Sequence, residues 1–273
     1  MMSNETSATG ENLAIESVQT FPAERTAVVT GAGGARGIGR HVARKLASTG
    51  WNLALVDIDE DAVVTYAAEL TAASGRQVVG LGLDITDAAA VERAFERIDA
   101  ELPPVLAVVN LAGVASPDTI FEITPELWDR VMGVNAKGTL LMTQAAARRM
   151  IDAGTGGRIV NTSSITAYDG GGTFSKTGYA AAKAAVLGLT RGAARELGRY
   201  GITVNAIVPG PIDTDIMGGQ LSDERKQGMS ADIPVQRVGQ PQEVAGLVNF
   251  LVSEDSSYVS GGSVFVDGGK HMV

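Results

Sequence analysis

Cysteine is absent from the 273-residue chain, and histidine occurs only at His41 and His271. The lack of thiols excludes disulfides, thiolate zinc sites, iron–sulfur clusters and cysteine nucleophiles. Two isolated histidines, with no ligand spacing between them, leave no multi-histidine metal site and no Ser-His-Asp triad, so no metal is expected. Basic residues are outnumbered, with 22 Lys plus Arg against 31 Asp plus Glu and a net charge of −9. That balance repels phosphates and argues against nucleic acid or an anionic membrane as a partner. No segment approaches the ~18 apolar residues of a membrane span. Residues 1–24 are rich in Ser, Thr, Glu and Asn, without the basic and apolar regions of a signal peptide. They read as a polar N-terminal extension before a single domain at 25–273, and a cytoplasmic location is expected.

Glycine is in surplus, with 34 residues, about 12% against a usual ~7%. From Thr26 onward, short β-branched apolar runs alternate with amphipathic ones. The runs are 26–30, 52–57, 77–84, 105–110, 158–164, 202–208 and 263–268. Apolar nearly throughout, they suit strands covered on both faces of a parallel sheet. Between them, Ile38, Val42 and Leu46 recur at helical spacing, as do Val91, Phe95 and Ile98. Thr124-Pro125-Glu126 supplies an N-cap, a first-turn proline and an acid, which predicts a helix from there to about Ile151. Further helices are expected over about 178–199 and 241–253. Such alternation implies an α/β fold: one Rossmann-type doubly wound parallel sheet of about seven strands, with helices on both faces. Residues 211–239 break the pattern, and a long insert after a strand's C-terminal end reads as a substrate lid.

The first strand runs into Thr30-Gly31-Ala32-Gly33-Gly34-Ala35-Arg36-Gly37-Ile38-Gly39, and a helix follows. Glycines there let the backbone approach a pyrophosphate, which the helix N-terminus then binds. Asp57 ends the second strand. A carboxylate at that point accepts from both adenosine ribose hydroxyls and repels a 2′-phosphate, which favours NAD over NADP. Arg36 pulls the other way, as a base able to meet a 2′-phosphate, unless it is simply a solvated loop residue. Asp84, with Ile85 beside it, meets the adenine edge or caps the turn Asp84-Ile85-Thr86-Asp87, and the two roles are compatible. Asn110-Leu111-Ala112-Gly113 ends the fourth strand with small residues that leave room for a cofactor ribose.

Tyr179 and Lys183 stand at i and i+4, on one helix face. A free phenol has a pKa near ~10, too high for a base at neutral pH. A neighbouring ammonium and a positive nicotinamide ring favour the phenolate, and a shift of ~3 units needs roughly 4 kcal/mol. By itself the pair is only suggestive.

Several motifs stand in order: the Thr-Gly-rich loop, Asn-x-Ala-Gly at 110–113, Asn135, Asn161-Thr162-Ser163-Ser164, Tyr-x-x-x-Lys, Val204-Asn205-Ala206-Ile207-Val208-Pro209-Gly210 and Asp267-Gly268-Gly269. With them the chain resembles the short-chain dehydrogenases/reductases from about Thr26 to Gly269. The resemblance implies roles. Tyr179 is the general acid/base, Lys183 binds the nicotinamide ribose and lowers the Tyr179 pKa, and Ser164 bonds the substrate oxygen. Asn135 holds a water that relays protons from Lys183, while Thr214 and the Ile212 backbone, after Pro209-Gly210, bind the nicotinamide carboxamide. It also implies a homotetramer built on the helices at 126–151 and 178–199 and the C-terminal strand.

Two departures stand out. The family's loop is Thr-Gly-x-x-x-Gly-x-Gly, but two extra residues separate Thr30-Gly31 from Gly37-Ile38-Gly39, so Gly31 and Gly33 compete for the first position. Ser164 lies fifteen residues before the tyrosine rather than the family's thirteen, where Thr166 sits instead. The strand-end alignment favours Ser164 with a longer loop through Gly170-Gly171-Gly172.

The leading expectation is an NAD(H)-dependent oxidoreductase acting on a secondary alcohol or its ketone. The alternatives are an NADPH-dependent ketone or 3-oxoacyl reductase and a non-catalytic cofactor-binding scaffold. Ile165, Tyr168, Phe174, Ile216, Met217, Leu221 and Met229 suggest a mostly apolar substrate pocket, with Arg225 and Lys226 on the lid's solvated face.

Overall fold

The computed structural model describes residues 20–172, 175–215 and 222–272. Seven strands form one sheet: β1 (Thr26–Thr30), β2 (Asn52–Asp57), β3 (Val78–Gly82), β4 (Val105–Asn110), β5 (Gly157–Thr162), β6 (Ile202–Pro209) and β7 (Ser263–Val266). Their order is β3-β2-β1-β4-β5-β6-β7, and all six pairings are parallel. The direction of winding reverses between β1 and β4. A crevice therefore opens above the C-terminal ends of those strands, the usual ligand position in such sheets.

Helices α1 (Ile38–Ser48), α2 (Glu60–Ser74) and α9 (Pro241–Leu251) cover one face. They bury Val42, Leu46, Tyr66, Leu70, Val244 and Val248 against the alternate side chains of β1 and β2. Helices α3 (Ala88–Glu101), α5 (Thr139–Ala153) and α7 (Thr177–Leu197) cover the other face. Phe95, Ile98, Met142 and Met150 form its core with Val28, Val108 and Ile159. With both faces covered, β1, β4 and β6 are buried along their whole length, which is why they read as continuous apolar runs.

The helix expected to run unbroken from Thr124 is broken. It starts as expected: α4 (Pro125–Met132) has Thr124 as N-cap, its side chain accepting from Leu127 N–H. A π-helical segment, Gly133–Gly138, then separates α4 from α5. Asn135 Nδ2 donates to Val131 O at 3.0 Å and to Val114 O at 2.9 Å, and Thr139 Oγ1 donates to Asn135 O at 2.8 Å. Gly138 faces Ile85, whose Cδ1 would lie 2.6 Å from a Cβ at that position. Side-chain competition for helical carbonyls and a close helix-to-loop contact thus favour the wider turn.

The remaining described α-helices are α6 (Thr166–Asp169), after β5, and α8 (Asp223–Ser230), in the 211–239 excursion. The base of that excursion is pinned where Ile212 bridges Gly239. Phe21, within the polar stretch, is buried against Trp51, and its N–H donates to Glu254 Oε1 at 3.0 Å.

Candidate active site

The cleft above β1, β4, β5 and β6 has a volume of about 760 Å³. Its wall carries Ile38, Gly113, Ser164, Tyr179, Lys183, Pro209, Gly210, Ile212 and Thr214 from the expected set. Thr30, at the end of β1, explains the start of the loop. Its Oγ1 accepts from both Leu111 and Ala112 N–H, each at 3.0 Å, which ties β1 to the turn after β4. Gly31 adopts φ +70°, and a Cβ there would come within 2.9 Å of Ala112 N. The left-handed turn therefore falls on Gly31, and the loop closes at Gly37, whose N–H donates to Gly34 O at 3.0 Å. Gly39 packs so tightly on Gly31 O that a side chain would collide with it. Between them, Gly33 N–H donates to Asp57 Oδ2 at 2.7 Å.

Arg36 and Asn110, expected at the cofactor, have protein partners. Arg36 is not a free base: although it reaches solvent, it pairs with Asp213 at 2.9 Å and Asp215 at 3.2 Å. Asn110 points into a buried network, donating to Asn161 Oδ1 at 2.8 Å and Thr143 Oγ1 at 3.2 Å. Asn161 in turn donates to Thr190 Oγ1 at 3.0 Å. Asp84 caps its turn, accepting from Thr86 N–H at 2.9 Å and Thr86 Oγ1 at 2.8 Å. Its neighbour Ile85 is buried.

Tyr179 and Lys183 are both buried on the inner face of α7. Lys183 Nζ lies 5.4 Å from the Tyr179 ring centroid and donates to Thr162 O at 2.9 Å. Burial pushes the Tyr179 phenol up to about 12, and the Ser164 hydroxyl pulls it back only in part. Burial also pulls Lys183 down to about 8. For the protein alone this corrects the expectation of a lysine-depressed phenol: desolvation disfavours both charged forms and outweighs their proximity. The shift a bound cation must supply grows to ~5 units, roughly 7 kcal/mol.

Ser164, not Thr166, is the hydroxyl that acts on the phenol, favouring its ionised form. Its neighbour Ser163 is taken by Lys183 O at 2.8 Å. Asn135 is fully buried, and its Oδ1 has no partner. A Cβ on Gly113 would lie 2.6 Å from that oxygen and 3.4 Å from Lys183 Nζ, so both atoms converge on the bare Gly113. An orphaned buried acceptor facing an ammonium suits a bridging water.

The rest of the wall is more polar than expected. Ile165 and Met229 contribute, but so do Thr166, Asp169, Ser175, Arg225, Asp232 and Lys270. Tyr168 instead packs at a tilt against Phe265 and His271. Phe174, Ile216, Met217 and Leu221 lie outside the described residues. Lys226 reaches solvent only in part, for it pairs with Asp213 at 2.7 Å. Sequence reasoning missed the Asp232 and Lys270 wall because neither belongs to a motif; both arrive from loops distant in sequence. Among the described residues no group of His, Asp and Glu could hold a metal ion, and no helix is long and apolar enough to cross a membrane.

A glycine loop opening on the switch point of a parallel sheet, with a buried Tyr-Lys-Ser cluster beside it, defines a nicotinamide-dependent oxidoreductase. A family model described as enoyl-(acyl carrier protein) reductase matches residues 31–271. A (3R)-3-hydroxyacyl-CoA dehydrogenase of Rattus norvegicus is 40% identical over 253 residues, covering 90% of this chain and 96% of its own. The 3-oxoacyl-[acyl-carrier-protein] reductase MabA of Mycobacterium tuberculosis is 38% identical over 248 residues, covering 91% and 93%. A solved short-chain type dehydrogenase/reductase from Mycobacterium marinum superposes with a TM-score of 0.85 at 32% identity, covering 91% of this chain and 96% of that one. The chain belongs to the short-chain dehydrogenase/reductase family. It is an NAD(P)-dependent enzyme acting at CH–OH groups of small molecules.

Proposed function

We propose that the protein is an NAD(H)-dependent oxidoreductase that interconverts a secondary alcohol and its ketone, with Tyr179 as general acid/base. The observation that carries the cofactor choice is Asp57, fixed at the end of β2 by Gly33 N–H at 2.7 Å, while Arg36 is neutralised by Asp213 and Asp215. A 2′-phosphate would meet a carboxylate there and no uncommitted Arg36; two ribose hydroxyls would meet an acceptor.

The residues fit the dinucleotide. Gly31, Gly33, Gly37, Ile38 and Gly39 form its pyrophosphate cradle, where a Cβ at Gly31, Gly33 or Gly39 would collide with neighbouring atoms. Arg36 closes that loop onto the lid. Asp57 takes the adenosine ribose, and Asp84 with Ile85 the adenine. Ala112 and Gly113 leave space beside the nicotinamide ribose, with Asn110 bracing the turn from below. Pro209, Gly210, Ile212 and Thr214 border the nicotinamide end. When bound, the nicotinamide accepts or returns the hydride. Tyr179 takes the alcohol proton, Ser164 bonds the substrate oxygen, and Lys183 supplies positive charge beside the phenol. Asn135 Oδ1 and Lys183 Nζ hold a water through which that proton leaves.

A second reading keeps the chemistry and takes a 3-hydroxyacyl or 3-oxoacyl thioester as substrate. Lys270 on the wall, held by Asp232 only at 4.0 Å, favours it as a contact for an anionic carrier. So do the names of the two relatives. A homotetramer is part of the same proposal, with Phe121 96% and Trp128 38% exposed near α4 as candidate contacts. The test is a screen for NADH formation over secondary alcohols, with a 3-hydroxyacyl thioester included and NADP+ run in parallel. Turnover with NADP+ alone overturns the cofactor reading.

A further inference from the structure

Thr166 lies two residues beyond Ser164, is only 5% exposed, and belongs to the cleft wall. Its hydroxyl is bonded on both sides. Ser164 Oγ donates to Thr166 Oγ1 at 3.1 Å, and Thr166 N–H donates back to Ser164 Oγ at 3.2 Å. On its far side, Thr166 Oγ1 lies 3.2 Å from Ser175 Oγ, in a bond where either oxygen can be the donor. Ser175 is brought there by the glycine turn of the longer loop. Gly171 has φ +94°, and Gly172 N–H donates to Ser175 O at 2.8 Å. A Cβ at Gly171 would collide with Ser175 O and come within 2.9 Å of Thr166 Cγ2.

A serine hydroxyl has one proton and two lone pairs. Here the one proton of Ser164 goes to Thr166 Oγ1, and one of its lone pairs accepts from Thr166 N–H. In that state Ser164 cannot donate to a phenolate or to a substrate oxygen. To do so it must turn its proton away from Thr166, which leaves a lone pair for Thr166 to fill.

Resting on the proposed function of Tyr179 and Ser164, we propose that Thr166 is a positioning residue, the centre of a Ser164–Thr166–Ser175 hydroxyl chain that reverses polarity during turnover. In one state the chain runs from Ser164 through Thr166 to Ser175. In the other, Ser175 donates to Thr166, Thr166 to Ser164, and Ser164 to the phenolate or substrate oxygen. Only hydroxyl rotations are involved; no bond to carbon changes and no proton is gained or lost. A donor polarised by a second donor binds an anion more strongly, so the chain favours the phenolate over the phenol.

The test titrates the phenolate absorption of NAD+-saturated protein, with Tyr179→Phe subtracted to isolate one phenol. Thr166→Val keeps the shape and the backbone N–H but removes the hydroxyl. It is expected to raise the Tyr179 pKa by about half a unit, roughly threefold in the ionisation constant. Thr166→Ser is expected to restore it. Ser175→Ala, at a half-buried loop position, is expected to shift it the same way by less. A Thr166→Val titration that overlays wild type, or a Thr166→Ser variant shifted as far as Thr166→Val, overturns the proposal. Failure of NAD+ to quench wild-type fluorescence is a separate result. It sinks the cofactor reading, and the Thr166 comparison is then made with NADP+.

Discussion

Gly33 N–H donates to Asp57 Oδ2 at 2.7 Å, and a Cβ on Gly33 would stand 2.8 Å from Asp57 Cγ. The glycine loop and the end of β2 are therefore one unit, with the carboxylate held by a residue that has no side chain to spare. Asp59 N–H meets the other oxygen at 3.2 Å. Asp57→Asn removes the charge and keeps the size. Hydrogen bonds to a charged group contribute ~1.5–3 kcal/mol, so NAD+ affinity should fall about 10- to 100-fold while NADP+ affinity changes less. Fluorescence titration with each cofactor checks this, and an unchanged NAD+/NADP+ ratio counts against it.

Tyr179→Phe should lower turnover by about 10²- to 10⁴-fold, the usual worth of a positioned acid/base, with NAD+ binding retained. Burial holds the phenol high, at about 12, so the base form grows with pH. Alcohol oxidation should accelerate as pH rises and ketone reduction should not. Opposite slopes in steady-state rates for the two directions are the expected result; parallel slopes argue for a different base.

Lys183 makes a separate prediction about stability. Burial lowers it from 10.5 to about 8. Between those values the unfolded chain keeps a proton that the folded chain has released, so stability from this residue rises with pH. Below about 8 both forms are charged and the burial penalty is at its full size. Relative to Lys183→Met, wild type should gain stability on going from about pH 8 to about 10.5. Urea unfolding at each pH checks this, and a gap that stays constant through the window would falsify it.

Asp213 joins Arg36 of the glycine loop to Lys226 of α8, at 2.9 and 2.7 Å. The Lys226 hydrogen bond, then the charges of Lys226 and Arg36, hold its carboxyl below the ordinary value of 3.8. The stabilisation is present above that value and is lost as pH falls through the lowered one. Arg36 and Lys226 both reach solvent, so Asp213→Asn should cost only about 1 kcal/mol. It should release NAD+ faster in stopped-flow displacement. The difference should shrink at high salt, where the Debye length falls to ~3 Å.

Much of this was legible in the residues. β1, β2 and β4 fall on the expected bounds because each is an apolar run ended by a polar residue and a turn. β3 stops at Gly82 rather than Asp84; the last inter-strand bond there is Leu83 N–H to Asp57 O, and β2 has no further residue to offer. The Tyr-Lys-Ser cluster was readable because its spacing is a motif. The π-helical turn at Asn135 was not, since apolar periodicity is the same on both sides of it and its cause is a side-chain amide bonded to Val114 O. The ion pairs of Arg36 and Lys226 were missed for a related reason. Both bases looked solvated, and their shared acid, Asp213, arrives from a different element.

The Asn110–Asn161–Thr190 bonds are buried, and none of the three residues lines the cleft. Thr190 follows Lys183 by seven residues and Tyr179 by eleven, close to two and three whole turns of α7. All three therefore share one side of the helix. The bond from Asn161 acts as a rotational stop for α7, indexing the helix about its axis from a point two turns away. Aim at the reacting atoms is thus set by the sheet, through a polar contact that a purely apolar seam, free to slip by a fraction of a turn, would not provide.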